Sequence, residues 1–226
     1  MQILAPQSFR AAKHRHQSAP LAKGDGGMFG IVWEYFKTST MMKHKEIITN
    51  WNVITGGPCT GKTTVVNILA ARGYKTTIEH ARHYIDTQKI KGRTVEEIRL
   101  NKKEFQLGVL NMQIEEEATL DVNEMIFLDR ALPDAMAYYQ FIGLEYDDRL
   151  VEQCNKYCYS RVFILARLPL TNDYARLEDE EEQIRIYNLI IKVYESFPCP
   201  IVHVPVLPPE ERVDFILNNL QNKGQL

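Results

Sequence analysis

The sequence predicts an α/β fold in which five parallel strands are covered by helices on both faces, and three observations carry that reading. From residue 51 onward, short β-type runs alternate with stretches of helical period, the pattern that specifies a parallel sheet with crossover helices. The first run ends in Gly56-Gly57-Pro58-Cys59-Thr60-Gly61-Lys62-Thr63, a glycine-rich loop leading into a helix. With 226 residues, 45% hydrophobic and 25% charged, the chain is long enough for one domain with a sizeable core.

The elements follow in order. Asn52-Val53-Ile54-Thr55 is the first strand, and Thr76-Thr77-Ile78 the second. Met125-Ile126-Phe127-Leu128, Val162-Phe163-Ile164-Leu165 and Ile201-Val202-His203-Val204 complete the five. Ile186, Leu189, Ile190, Val193 and Phe197 recur at helical spacing, as do Val213, Ile216, Leu217 and Leu220, so both stripes are expected to face the core. Gly73 and Gly143 stand where left-handed helix caps belong. Cys154 and Cys158, four residues apart, read as two free thiols on one helix face. Residues 1–45 form an N-terminal extension with Arg10, Lys13, Arg15 and Lys23, expected to be disordered or loosely docked on a nucleotide-binding domain of residues 46–226.

Charge and cysteine content exclude several classes. A net charge of -2 provides no global positive field for nucleic acid or an anionic membrane surface, so neither is an expected partner. The longest apolar runs fall far short of the ~20 residues a membrane helix needs. The 4 cysteines are too few for a disulfide scaffold, which fits a reducing compartment. A cytoplasmic location is expected, with an organelle address through the basic N-terminal extension as the alternative.

The chemistry centres on the loop. In Gly-x-x-x-x-Gly-Lys-Thr, glycines at 56 and 61 let backbone amides turn inward around a phosphate at a helix N-terminus. The nucleotide contacts are therefore expected from Gly56, Gly57, Pro58, Cys59, Thr60, Gly61, Lys62, Thr63 and Thr64. Lys62 reaches the β and γ phosphates, and Thr63 supplies a hydroxyl to Mg2+. The expected ligand is ATP (or GTP) with Mg2+. Asp129 ends the third strand and is the second expected Mg2+ partner. Arg130 follows it where hydrolysing motor ATPases place a glutamate, which argues against that class. Asn155-Lys156-Tyr157-Cys158 lacks the aspartate of a guanine clamp, which disfavours a GTPase switch. Glu79, near the end of the second strand, is placed to accept the proton of an attacking hydroxyl. Arg176, on a segment read as a lid before the acids at 178–182, is placed to neutralise charge on a transferred phosphoryl group.

These residues carry a resemblance. The run Ile54-Thr55-Gly56-Gly57-Pro58, Glu79 with Ala81-Arg82, Asp129-Arg130 with Pro133-Asp134-Ala135, and Arg176-Leu177-Glu178-Asp179 resemble the NadR-like AAA-domain family across roughly residues 50–220. The resemblance implies a P-loop fold similar to nucleoside and nucleotide kinases, and catalytic parts for Lys62, Glu79, Asp129, Arg130 and Arg176. Cys59 and Ala131 depart from the family's usual small residue in the loop and serine or glycine after Asp-Arg. Two functions follow as expectations. One is a kinase-like phosphotransferase acting on a small nucleoside-like or nucleotide-like acceptor. The other is a nucleotide-binding regulatory or trafficking protein that contacts a protein or a phosphoinositide, a reading that rests on the family alone.

Overall fold

The computed structural model describes residues 47–168 and 179–221, so the N-terminal extension with its expected boundary at 45 and the segment carrying Arg176 lie outside the described residues. The main sheet contains β2 (Trp51–Thr55), β3 (Lys75–Thr76), β4 (Ile126–Asp129), β6 (Arg161–Leu165) and β7 (Ile201–Val204). Their order is β3-β4-β2-β6-β7, all parallel. The strand that leads into the glycine-rich loop is thus central, flanked by β4 with Ile54 opposite Asp129 and by β6 with Ile54 opposite Phe163. All five of its residues are buried, as a strand covered on both faces requires.

Eight described helices surround the sheet: α1 (Lys62–Ala71), α2 (His80–Ile90), α3 (Val95–Leu100), α4 (Lys102–Thr119), α5 (Leu132–Ile142), α6 (Asp148–Lys156), α7 (Glu180–Glu195) and α8 (Pro209–Gln221). On one face, Ile54, Phe127, Phe163 and Leu165 of the sheet pack with Val65 and Leu69 of α1 and Val213 and Ile216 of α8. Arg72 also ties α1 to α8, reaching Glu210 and Asp214 at the surface. Exposed pairs contribute little. Each buried aliphatic contributes ~1.5–3 kcal/mol, so the apolar seam holds the two helices together. On the other face lie α5 and α7, reached by Thr55 and Tyr194 through a shared aspartate.

The five expected strands are present, with shifted ends. The second shrinks to Lys75–Thr76, although the Thr77 N–H still donates to the Phe127 carbonyl at 3.0 Å. Gly73 and Gly143 have φ of 87° and 73°, the left-handed values that favour glycine. One expectation fails. Cys154 lies in α6, but Cys158 lies in a short strand, β5 (Tyr157–Cys158), which pairs in parallel with β1 (Ile47–Ile48). Tyr157 packs its ring on Trp51 at 4.8 Å, and this contact with the pairing to β1 ends the helix two residues short of Cys158.

The start of α5 is held by a buried carboxyl. Glu117 of α4 accepts hydrogen bonds from the Leu132 N–H at 3.2 Å, Tyr159 Oη at 2.9 Å and Gln113 Nε2 at 3.4 Å. Burial pushes its pKa from 4.5 up to about 8, against those three hydrogen bonds. Between those values the folded chain holds a proton that the unfolded chain releases, so stability falls as pH rises through the window. Urea unfolding at pH 5 and pH 8 is expected to show Glu117→Gln with a flatter pH dependence than wild type, by up to about 1.4 kcal/mol per pH unit.

Candidate active site

The glycine-rich loop has the local geometry its sequence predicts. Gly56 has φ of 144°, and a Cβ there would stand 2.9 Å from the Leu165 carbonyl. Gly61, φ 80°, is the N-cap of α1, and it leaves that helix start without a side-chain cap or an acid in the first turn. Uncapped amides at a helix N-terminus favour an anion. Cys59 also has a positive φ, 57°, which is uncommon for a residue with a side chain and marks a backbone held by its surroundings. Pro58 is buried beside it, and Thr60 Oγ1 donates to the Gly57 carbonyl at 3.1 Å, closing the loop on itself.

Lys62 is buried and donates from Nζ to the Gly57 carbonyl at 2.8 Å. Burial and the nearby Arg130 lower its pKa, while Asp129, Glu79 and Asp134 oppose the shift. Its ammonium therefore sits among three carboxylates at the mouth of the loop. Asp129 is 2% exposed, and its Oδ1 has no hydrogen-bond partner among the described residues. Burial raises its pKa, and Lys62 pulls it back. Its backbone N–H donates to Thr77 Oγ1 at 2.9 Å, which fixes the strand end.

Glu79 is the N-cap residue of α2, but its side chain makes no capping bond. Its Oε2 instead stands 3.5 Å from Thr63 Oγ1, which donates to it, and 3.5 Å from Arg82 Nε. Next to it, His80 Nε2 lies 2.7 Å from Glu116 Oε2, linking the first turn of α2 to α4.

Arg130 and Asp134 form the other half. Arg130 has φ of 69°, and its N–H donates to the Ile54 carbonyl at 3.0 Å, extending the β2–β4 pairing. Its guanidinium reaches the Gly56 carbonyl at 3.2 Å and Asp134 Oδ1 at 2.8 Å, and lies 5.3 Å from the Tyr138 ring centre. Asp134 accepts further bonds from Thr55 Oγ1 at 2.6 Å, Tyr194 Oη at 2.6 Å and the Ala131 N–H at 3.2 Å. The cap that Ala131 cannot supply with its own side chain comes from Asp134.

A cavity of about 440 Å³ adjoins the loop, a volume suited to a small ligand. Lys62, Thr63, Thr64, Glu79 and Arg130 line one part of it. Phe105, Val109, Tyr138 and Phe141 give it apolar walls, Gln106 and Gln113 bring amides, and Arg82, Arg99 and Lys102 bring positive charge. The structure thus gathers Lys62, Thr63, Glu79 and Arg130 around one cleft, with Asp129 beside them within electrostatic reach of Lys62 and Glu79. Arg176 lies outside the described residues. Asp134 and Gln113 also line the cavity, and neither stands out in the sequence as a site residue. The only signal for Asp134 was its place in the run after Asp129-Arg130, and Gln113 offers none outside the fold.

Fold and site together define an α/β P-loop fold similar to that of nucleoside and nucleotide kinases. The chain belongs to the AAA domain family, whose sequence profile matches residues 51–212. No curated protein matches it significantly in sequence. Among solved structures, deoxyadenosine kinase from M. mycoides with dCMP and dCDP bound aligns with a TM-score of 0.53 at 18% identity, covering 77% of this chain and 100% of its own. NadR in complex with NR aligns at 0.56 and 16% identity, covering 85% of this chain, which spans only 56% of NadR. Thymidylate kinase from Ehrlichia chaffeensis aligns at 0.51 and 16%, covering 76% of this chain and 97% of its own. At these identities the likeness is one of fold.

Replacing Asp134 by Asn leaves the part-buried Arg130 without its carboxylate, a change expected to cost about 3 kcal/mol. Tyr194→Phe removes one neutral donor and is expected to cost about 1 kcal/mol. Chemical denaturation of both variants checks the order, and equal losses would remove the ion pair as the dominant contact.

Proposed function

We propose that the chain is a phosphotransferase that binds ATP, or GTP, in the glycine-rich loop and transfers its γ-phosphoryl group to a hydroxyl of a small nucleoside-like or nucleotide-like acceptor held in the adjoining cavity. One observation carries this reading. Glu79 and Arg130 line the same cavity as Lys62 and Thr63, and the walls beyond them are aromatic and amide side chains suited to a planar ring. A pure nucleotide-binding module has no need of such a second compartment. The kinase fold shared with the solved structures agrees with it.

In this reading the acceptor oxygen forms a bond to the γ phosphorus as the bond to the bridging oxygen of the leaving nucleoside diphosphate breaks. The hydroxyl proton passes to Glu79, whose carboxylate lines the cavity and is part-exposed to it. Lys62 and Arg130 offset charge on the phosphoryl oxygens. Thr63 and Asp129 are the residues that would hold Mg2+, which supplies further charge neutralisation when bound. The orphaned, buried Oδ1 of Asp129 fits that role.

Two measurements test the reading. Asp129→Asn is expected to weaken nucleotide binding in Mg2+ while leaving metal-free binding nearly unchanged, as titration calorimetry with and without the metal would show. Equal metal dependence in both proteins would take Asp129 out of the site. Labelled ATP with a panel of nucleosides and nucleotides should yield a phosphorylated acceptor, and Glu79→Gln should lower that rate ~100-fold or more with nucleotide affinity retained. Lys62→Ala should damage both. If wild type phosphorylates nothing in the panel, or Glu79→Gln transfers at the normal rate, the chain is better read as a nucleotide-binding regulatory protein.

A further inference from the structure

Arg212 belongs to none of the groups that line the cavity, yet it sits directly behind the glycine-rich loop. It is 2% exposed. From α8, its guanidinium donates to the Thr60 carbonyl at 2.6 Å and to the Ala166 carbonyl at 3.4 Å. A Cβ added to Gly61 would lie 3.5 Å from the same nitrogen that binds Thr60. Of the three acids that flank Arg212 on α8, Glu210 and Asp214 are engaged by Arg72 at 2.6 and 2.5 Å, and Glu211 is exposed. Among the described residues no carboxylate forms an ion pair with Arg212, and its Nε has no hydrogen-bond partner.

A guanidinium taken out of water without an anion is costly, and two carbonyl dipoles compensate it only in part. Arg130, part-buried on the cavity side of the loop, shows the contrast, since Asp134 pairs with it at 2.8 Å. Burial lowers the pKa of Arg212, and no neighbouring carboxylate raises it again. The peptide geometry says what the first bond accomplishes. In a planar trans peptide the carbonyl and the following N–H point in opposite directions. With the Thr60 carbonyl held towards α8, the Gly61 N–H is turned away from it, on the side opposite Arg212.

We propose that Arg212 is a positioning residue of the nucleotide loop: it holds the Thr60 carbonyl so that the loop amides stay turned towards the phosphates, and from behind the loop its positive charge adds to the field that attracts them. The last helix is then part of the nucleotide site, although it contributes nothing to the cavity wall. The inference rests on the nucleotide-binding part of the proposed function and not on the acceptor.

The test uses the full chain, with Mg2+-tripolyphosphate and Mg2+-ATP as probes in titration calorimetry. Arg212→Gln removes the charge, and its amide is too short to reach the Thr60 carbonyl. Its affinity for both probes is expected to fall roughly tenfold or more, the scale of a charge-assisted hydrogen bond. Arg212→Lys keeps the charge without the fork and is expected to lose about three- to tenfold, so that charge partly rescues binding. Circular dichroism and thermal melting report whether each variant is folded at the titration temperature. A folded Arg212→Gln that binds tripolyphosphate like wild type overturns the proposal, because a merely structural arginine would lower the melting temperature and leave that affinity alone. Should the Gln variant not fold, the Lys variant decides, and an unchanged affinity overturns the proposal equally. Wild type that binds neither probe would refute nucleotide binding itself, a failure distinguishable from equal binding by wild type and variant.

Discussion

Buried at the carboxyl edge of the sheet, the Asp134 carboxylate accepts hydrogen bonds from four groups on three parts of the chain, and the rest of the site depends on that convergence. Thr55 ends the strand that enters the loop, Arg130 and Ala131 follow the neighbouring strand, and Tyr194 belongs to the helix packed across them. A carboxylate withdrawn from water is expensive unless its lone pairs are filled, so this one locks the parts that fill them into a single arrangement. The positive φ of Arg130 follows from it, since the residue must present its N–H to Ile54 and its guanidinium to both Gly56 and Asp134. Strain of that kind persists only where the surroundings over-determine the backbone. Here Ile54, Gly56 and Asp134 do so together.

The same principle explains why the loop is closed on itself. Lys62 rests on the Gly57 carbonyl, Thr60 on the same carbonyl, and the amides at the start of α1 have no side-chain cap. Loop donors are thus held in place while the helix terminus remains open to an anion, so ordering the loop costs a ligand little. Lys62 can exchange one carbonyl for a phosphate oxygen with a small movement, and an anion there offsets the burial and the nearby Arg130 that lower its pKa.

Much of the fold could be read from the sequence because its signals are local. A buried parallel strand announces itself as an apolar run, and a glycine at a left-handed cap has few substitutes. The loop was legible for the same reason, since eight consecutive residues carry its chemistry. The convergence on Asp134 was not, because nothing at residue 134 reveals that residues 55 and 194 meet there. Arg212 is still less visible: it sits among exposed acids on an amphipathic helix and reads as a surface charge until α8 folds against α1. The short β1–β5 pair escaped for a different reason. Two-residue strands have no period to detect, and the helical spacing through Cys158 pointed the other way. The cavity depends on α2, α4 and α5 crossing one another, so its aromatic and amide lining could not be assembled from separate stretches.

The central claim is that a preformed loop receives the phosphates of a nucleotide, with Lys62 leaving its internal carbonyl to do so. A crystal structure of the full chain with Mg2+ and a non-hydrolysable ATP analogue tests this most directly. The account predicts phosphate oxygens against the amides of residues 57–63, Lys62 Nζ moved from the Gly57 carbonyl to a phosphate, and a loop backbone otherwise unchanged. An analogue bound elsewhere, with Lys62 still on Gly57, would contradict it.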